Sequence, residues 1–180
     1  MFIFRFILIS IVFTPFDFAY EGDYLTCLSQ ESLLGIDVST FQKEIDWEQK
    51  YTELNSGNID CIWNGMTINE ELLSICSVSD PYVVNAQVVV MKNDIVANYA
   101  DTASLADLTF AVENGSAGQT AAQDIGVKNI VAVQDQAAAL MEVAAGTADA
   151  CVIDITMANA MTGEGTSYAD LAYQLSLSEE

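Results

Sequence analysis

The sequence predicts an α/β fold of two similar lobes, each a mostly parallel sheet flanked by helices, and three observations carry that prediction. Strand-like and helix-like segments alternate along the chain, 52% of residues are apolar against 17% charged, and one helix–turn–strand pattern occurs twice. Alternation of this kind needs crossover connections, and these give parallel strands. A chain of 180 residues with this apolar share can bury a sizeable core, as one ordinary domain or two small lobes.

Taken in order, residues 1–13 are apolar apart from Arg5 and Ser10 and fall short of the roughly 20 residues that span a membrane. They read either as a buried first strand ending at Thr14-Pro15 or as the apolar part of an export signal. A weak helix over 24–34 is stopped by Gly35, and 36–41 is strand-like. Asp46 caps a helix over 47–54 that Asn55-Ser56-Gly57 ends, and 59–63 is a short buried strand closed by Asn64-Gly65. Residues 70–76 make one or two helical turns, which Asp80-Pro81 breaks. The valine-rich run 82–91 is the clearest strand and is long enough to connect two lobes.

The second half continues the alternation. Residues 104–108 form a short turn or helix, 110–113 a strand, 115–118 a turn into a helix over 119–125, and 130–133 a strand. Asp135 caps an alanine-rich helix that Gly146 ends, and 150–153 is the next strand. Residues 53–62 resemble residues 142–151 at an offset of 89. The exits of the two copies, Asn64-Gly65-Met66-Thr67 and Ile153-Asp154-Ile155-Thr156, are expected to face one crevice, because open parallel sheets bind ligands outside strand C-termini.

Composition excludes several functions. Five Lys plus Arg stand against 26 Asp plus Glu, a formal charge of −21 that repels phosphate backbones and anionic membranes. No nucleic-acid partner is expected. The absence of His removes imidazole-based triads, relays and most zinc sites. Cys27, Cys61, Cys76 and Cys151 form no CxxC pair, which leaves no zinc-ribbon or thioredoxin pattern. Cys61 and Cys151 lie in apolar runs and read as buried thiols, while a Cys27–Cys76 disulfide stays open. No cofactor or metal is expected.

Several short motifs occur in a telling order: Phe13-Thr14-Pro15-Phe16-Asp17-Phe18, Ile45-Asp46-Trp47, the stretch 54–68, Ser79-Asp80-Pro81-Tyr82, Gly115-Ser116-Ala117-Gly118 and Ala148-Asp149-Ala150-Cys151-Val152-Ile153-Asp154. With these, the chain resembles the periplasmic amino-acid-binding family, the extracellular solute receptors of ABC importers. The resemblance implies a two-lobe periplasmic-binding-protein-like fold of type II. Its first lobe is 1–86, its crossover strand 87–96, its second lobe 97–173, and 174–180 start a second crossover. Family members usually continue beyond this point, so the first lobe is expected to be incomplete.

The implied function is non-catalytic capture of a small polar solute, most simply an amino acid, by a monomer outside the cytoplasmic membrane that delivers it to an ABC permease. The resemblance makes Phe13 and Trp47 walls around the ligand side chain, with plain lobe core as the alternative. It gives Asn64, Gly65 and Thr67 backbone and hydroxyl contacts to the ligand, although Asn-Gly is also a common tight turn. Ser116 and Ala117 open a helix whose N–H groups suit a carboxylate. Asp154 would receive the ligand's ammonium group, or cap a helix over 156–161. One departure stands out, in that Leu72 occupies the position where the family carries an Arg that clamps the ligand carboxylate. Two further readings accompany the capture one. The first is a truncated relative that binds nothing. The second is a dehydratase-like enzyme on the same fold, with Glu70, Glu71, Glu113 and Asp154 as candidate general acids.

Overall fold

The computed structural model describes residues 45–59, 62, 66–78, 80–81 and 84–179. The chain divides into two compact units, Met1–Met66 and Thr67–Glu180.

In the first unit Asp46 accepts a hydrogen bond from the Glu48 amide at 3.0 Å and so caps a 3-10 turn, Trp47–Gln49, which runs into α1, Lys50–Asn55. Gly57 follows at φ +74°, the left-handed stop expected after Asn55-Ser56. Lys50 is only 7% exposed. Its ammonium lies 4.9 Å from the ring centres of both Trp47 and Tyr51 and donates to the Trp47 carbonyl at 3.2 Å.

The second unit begins with α2, Glu70–Ile75, whose cap is Asn69, accepting from the Leu72 amide at 2.8 Å. Leu72 itself is buried. A five-stranded sheet follows, formed by β1 (Ala86–Lys92), β2 (Thr109–Glu113), β3 (Asn129–Val133), β4 (Ala150–Asp154) and β5 (Leu171–Glu179), in the spatial order β3-β2-β4-β1-β5. Strands β3, β2 and β4 pair in parallel, while β1 runs antiparallel to both β4 and β5. The parallel trio follows from its helical crossovers, α3 (Ala117–Asp124) between β2 and β3 and α4 (Gln136–Ala145) between β3 and β4. A last helix, α5 (Ile155–Met161), leaves β4.

Alternating side chains place two cores on the two faces of the sheet. One joins Val89, Met91, Phe110, Val112, Ala150 and Val152 to Leu105, Ala122 of α3 and Val127. The opposite set, Val88, Val90, Ala111, Cys151 and Ile153, is equally buried, as are Leu140 and Val143 of α4. Each Val, Leu, Ile, Phe or Met side chain among these contributes on the order of 1.5–3 kcal/mol on leaving water.

Most second-half expectations match these elements to within a few residues. Within the run 82–91, the described strand covers Ala86 onward. Among the described residues no helix is long and apolar enough to cross a membrane. The expected segments 1–13, 24–34 and 36–41, most of 59–63, and the residues Cys27 and Cys61 lie outside the described residues. Cys76 and Cys151 are free thiols.

Candidate functional site

Asp154 ends β4, and its cross-strand partner on β1 is Gln87. Partnered residues project from the same face of a sheet, so the two side chains meet. Gln87 and Asn85 are 2% and 5% exposed. Their buried amides need partners. Each donates to Asp154 Oδ1 at 2.7 Å. The third amide comes from a helix: Gln136, the first residue of α4, donates to Asp154 Oδ2 at 2.6 Å and accepts from the Asp154 backbone amide at 3.1 Å. Asp135 holds Gln136 in place by capping α4 through the Ala138 amide at 2.7 Å.

Hydrogen bonds to a charged group are worth about 1.5–3 kcal/mol each, so this set of amides fixes the carboxylate firmly. Asp154 also stands at the N-cap position of α5, yet its side chain makes no cap bond. The helix that a capping Asp154 would have opened is present. The capping bond is not.

A second polar element stands beside this one. Ser116 caps α3 by accepting from the Gln119 amide at 3.1 Å, and the Gln119 side chain accepts in return from the Gly115 amide at 2.9 Å. The first helical N–H groups, at Ala117 and Gly118, have no acceptor within the helix. At Gly118 a Cβ would lie 2.8 Å from the Val152 carbonyl oxygen and 3.2 Å from Gln87 Oε1. Only glycine admits this approach. Gln87 is therefore a shared neighbour of the α3 N-terminus and of Asp154. The second unit thus brings Ser116, Ala117 and Asp154 to one end of the sheet, where β2 and β4 finish.

Trp47 belongs to the first unit, where one face of its ring carries the Lys50 ammonium. Thr67 is half-buried in the segment before α2. Phe13, Asn64 and Gly65 lie outside the described residues. Sequence reasoning missed Asn85, Gln87 and Gln136. A polar residue inside the run Val83 to Met91 was the available signal for Gln87, since an uncompensated amide there would be costly. Lys50 was likewise legible only as a residue three positions after Trp47.

The site offers a carboxylate acceptor and helix-end N–H donors at half-buried Ala117 and buried Gly118. Burial pushes the Cys151 thiol well up, so it stays protonated and inert. Among the described residues no group of three or more acidic or thiol side chains is placed to hold a metal ion.

An acidic acceptor and a helix N-terminus at the ends of parallel strands can meet, by their chemistry, an ammonium and a carboxylate group. The sequence profile of the bacterial extracellular solute-binding proteins, family 3, matches residues 30–120, just over half of the chain. The chain belongs to this family. The fold agrees. This family 3 chain is similar to the holo form of ArgBP from T. maritima, at 27% identity and a TM-score of 0.75, over 97% of this chain and 79% of that one. It is similar to Tv2483, solved bound to L-arginine, at 27% identity and a TM-score of 0.64 over 77% of this chain. It also resembles AncCDT-1, an ancestral amino acid-binding protein and precursor of cyclohexadienyl dehydratase, at 27% identity and a TM-score of 0.66 over 76% of this chain. The chain spans 57% of the length of Tv2483 and 61% of AncCDT-1. No curated protein matches the chain.

Proposed function

We propose that this family 3 chain captures a free amino acid outside the cytoplasmic membrane and delivers it to an ABC-type permease without chemical change. The observation that carries the reading is the Asp154 carboxylate, held by three side-chain amides and withheld from the helix it stands ready to cap. An anchored carboxylate suits an ammonium group. The backbone N–H of Ala117, at the end of the helix that Ser116 caps, then takes the ligand's carboxylate. Phe13, Trp47, Asn64, Gly65 and Thr67 supply the opposing contacts from the first lobe, with 1–86 as that lobe, 87–96 the crossover, 97–173 the second lobe and 174–180 the second crossover. Leu72 leaves no Arg at the usual position, so the helix end carries the anion alone and a cationic ligand is favoured. Two relatives support arginine as the first ligand to try: ArgBP by its name and Tv2483 by its bound L-arginine. Closure of two lobes around the ligand would exclude water and strengthen each charged contact.

The dehydratase-like reading draws on the likeness to AncCDT-1 and on the candidate acids Glu70, Glu71, Glu113 and Asp154. Of these, Asp154 is poorly placed as a general acid, because both its oxygens accept hydrogen bonds from amides.

Isothermal titration of the purified chain with L-arginine, L-lysine, L-glutamine and L-glutamate tests the proposal. Micromolar or tighter binding of at least one, lost by a factor of about 100 or more in Asp154→Ala, is the expected result; about 2.7 kcal/mol corresponds to that factor. Binding of none, or binding that Asp154→Ala leaves intact, would refute it.

A further inference from the structure

Asp154 occupies the N-cap position of α5, where an aspartate ordinarily accepts from the second or third helical amide. Its carboxylate makes no such bond. Oδ1 takes Asn85 and Gln87, both from the strand segment beside it, at 2.7 Å each. Oδ2 takes Gln136 alone, at 2.6 Å. Gln136 differs from the other two in holding Asp154 at two points, because its Oε1 also accepts from the Asp154 backbone amide at 3.1 Å. Its own backbone is fixed by the Asp135 cap of α4. A carboxylate offers about four acceptor positions. Three are filled by these amides, and the remaining one is on Oδ2, beside Gln136.

We propose that Gln136 is a positioning residue for amine recognition: its two-point contact keeps the Asp154 carboxylate off the α5 cap and presents the remaining Oδ2 position to the ligand's ammonium group. The inference rests on the amino-acid-binding reading above and adds the residue that sets its selectivity. Gln136 acts through Asp154 and does not touch the ligand. Loss of its side chain releases Oδ2 while Asn85 and Gln87 still hold Oδ1, so the carboxylate can turn about Oδ1 and bring Oδ2 toward the α5 amides, an alternative that local structure favours.

The test uses the full chain, with L-arginine and 5-guanidinopentanoic acid, which is arginine without its α-amine, as probes. Gln136→Met keeps the length of the side chain and removes both polar atoms; Gln136→Asn is the second variant, used should the first fail to fold by circular dichroism. L-arginine is expected to bind at least tenfold more weakly to the variant, and the amine-free probe within twofold of wild type. In an Asp154→Asn background the same change should cost nothing further, as residues acting as one unit do. Without ligand, the couplings between the Asp154 α and β protons should report a new side-chain rotamer in the variant. Equal loss for both probes, additivity with Asp154→Asn, or an unchanged rotamer would each overturn the assignment. Should wild type bind neither probe, or Asp154→Asn bind L-arginine unimpaired, the amine role of both residues falls, whereas the ligand-free rotamer still judges whether Gln136 orients Asp154.

Discussion

Gly118 of α3 meets Val152 of β4 more closely than any side chain allows: a Cβ at residue 118 would lie 2.8 Å from the Val152 carbonyl oxygen and 3.3 Å from its carbonyl carbon. Both obstructing atoms are backbone in the middle of a sheet, so neither can swing aside. In an open helix Gly→Ala stabilises by about 1 kcal/mol. Here the overlap forces α3 outward, at the 1–3 kcal/mol typical of overpacking. Gly118→Ala should therefore lower the urea midpoint by the equivalent of up to about 2 kcal/mol with the slope unchanged. A raised midpoint would mean that α3 does not approach β4 this closely.

Cys151 gives the protein an alkaline limit. Burial raises its thiol above the ordinary value near 8.5, so the folded chain keeps a proton that the unfolded chain releases. The native state then binds more protons, and stability falls as pH rises. The contribution is whole below about pH 8 and declines above it, by at most about 1.4 kcal/mol per pH unit for one thiol. Urea midpoints between pH 7 and 10 should fall more steeply in wild type than in Cys151→Ala. Peptide mapping after thiol labelling should find half-buried Cys76 modified well before Cys151. Equal slopes for the two proteins would place Cys151 in contact with water.

Asp135 is the support of a support. It caps α4 through the Ala138 amide at 2.7 Å, and the next residue is Gln136. Removing such a cap costs about 0.5–2 kcal/mol. Asp135→Ala should lower stability by about 1 kcal/mol in chemical denaturation, and Asp135→Ser should restore most of it. If both variants were equally impaired, charge and not capping would be the cause.

How far the sequence reveals this fold depends on how local the determining interaction is. Helix α4 was readable end to end, because a capping Asp, an alanine-rich interior and Gly146 at φ +78° all act within a few residues. The direction of β1 was not readable, since nothing in a valine run distinguishes an antiparallel neighbour from a parallel one. Asp154 was legible as a residue at a strand exit with a ligand role or a capping role, but its actual partners were not. The amides that hold its carboxylate belong to Asn85, Gln87 and Gln136, which lie 69, 67 and 18 positions away in the chain. Side-chain amides carry no periodicity and no motif, so contacts of this range appear only once register is known.

The charge of −21 should make the chain more stable in salt. With 26 acidic against five basic side chains, most carboxylates have like-charged neighbours, and self-repulsion opposes the compact state. Raising ionic strength shortens the screening length from about 30 Å at 0.01 M to about 3 Å at 1 M. A contrary effect comes from the pair Lys128–Asp107 at 2.6 Å, whose hydrogen bond and positive charge hold the Asp107 carboxyl below the usual carboxylate range. Its side chains are 66% and 86% exposed, so salt weakens it, but exposed pairs contribute little. The repulsive sum should win. Thermal melts at pH 7 are expected to show Tm rising steadily from 0.01 to 1 M sodium chloride, and to show the same gain in Lys128→Met. A Tm that fell with salt would mean that attractive pairs outweigh the excess of carboxylates.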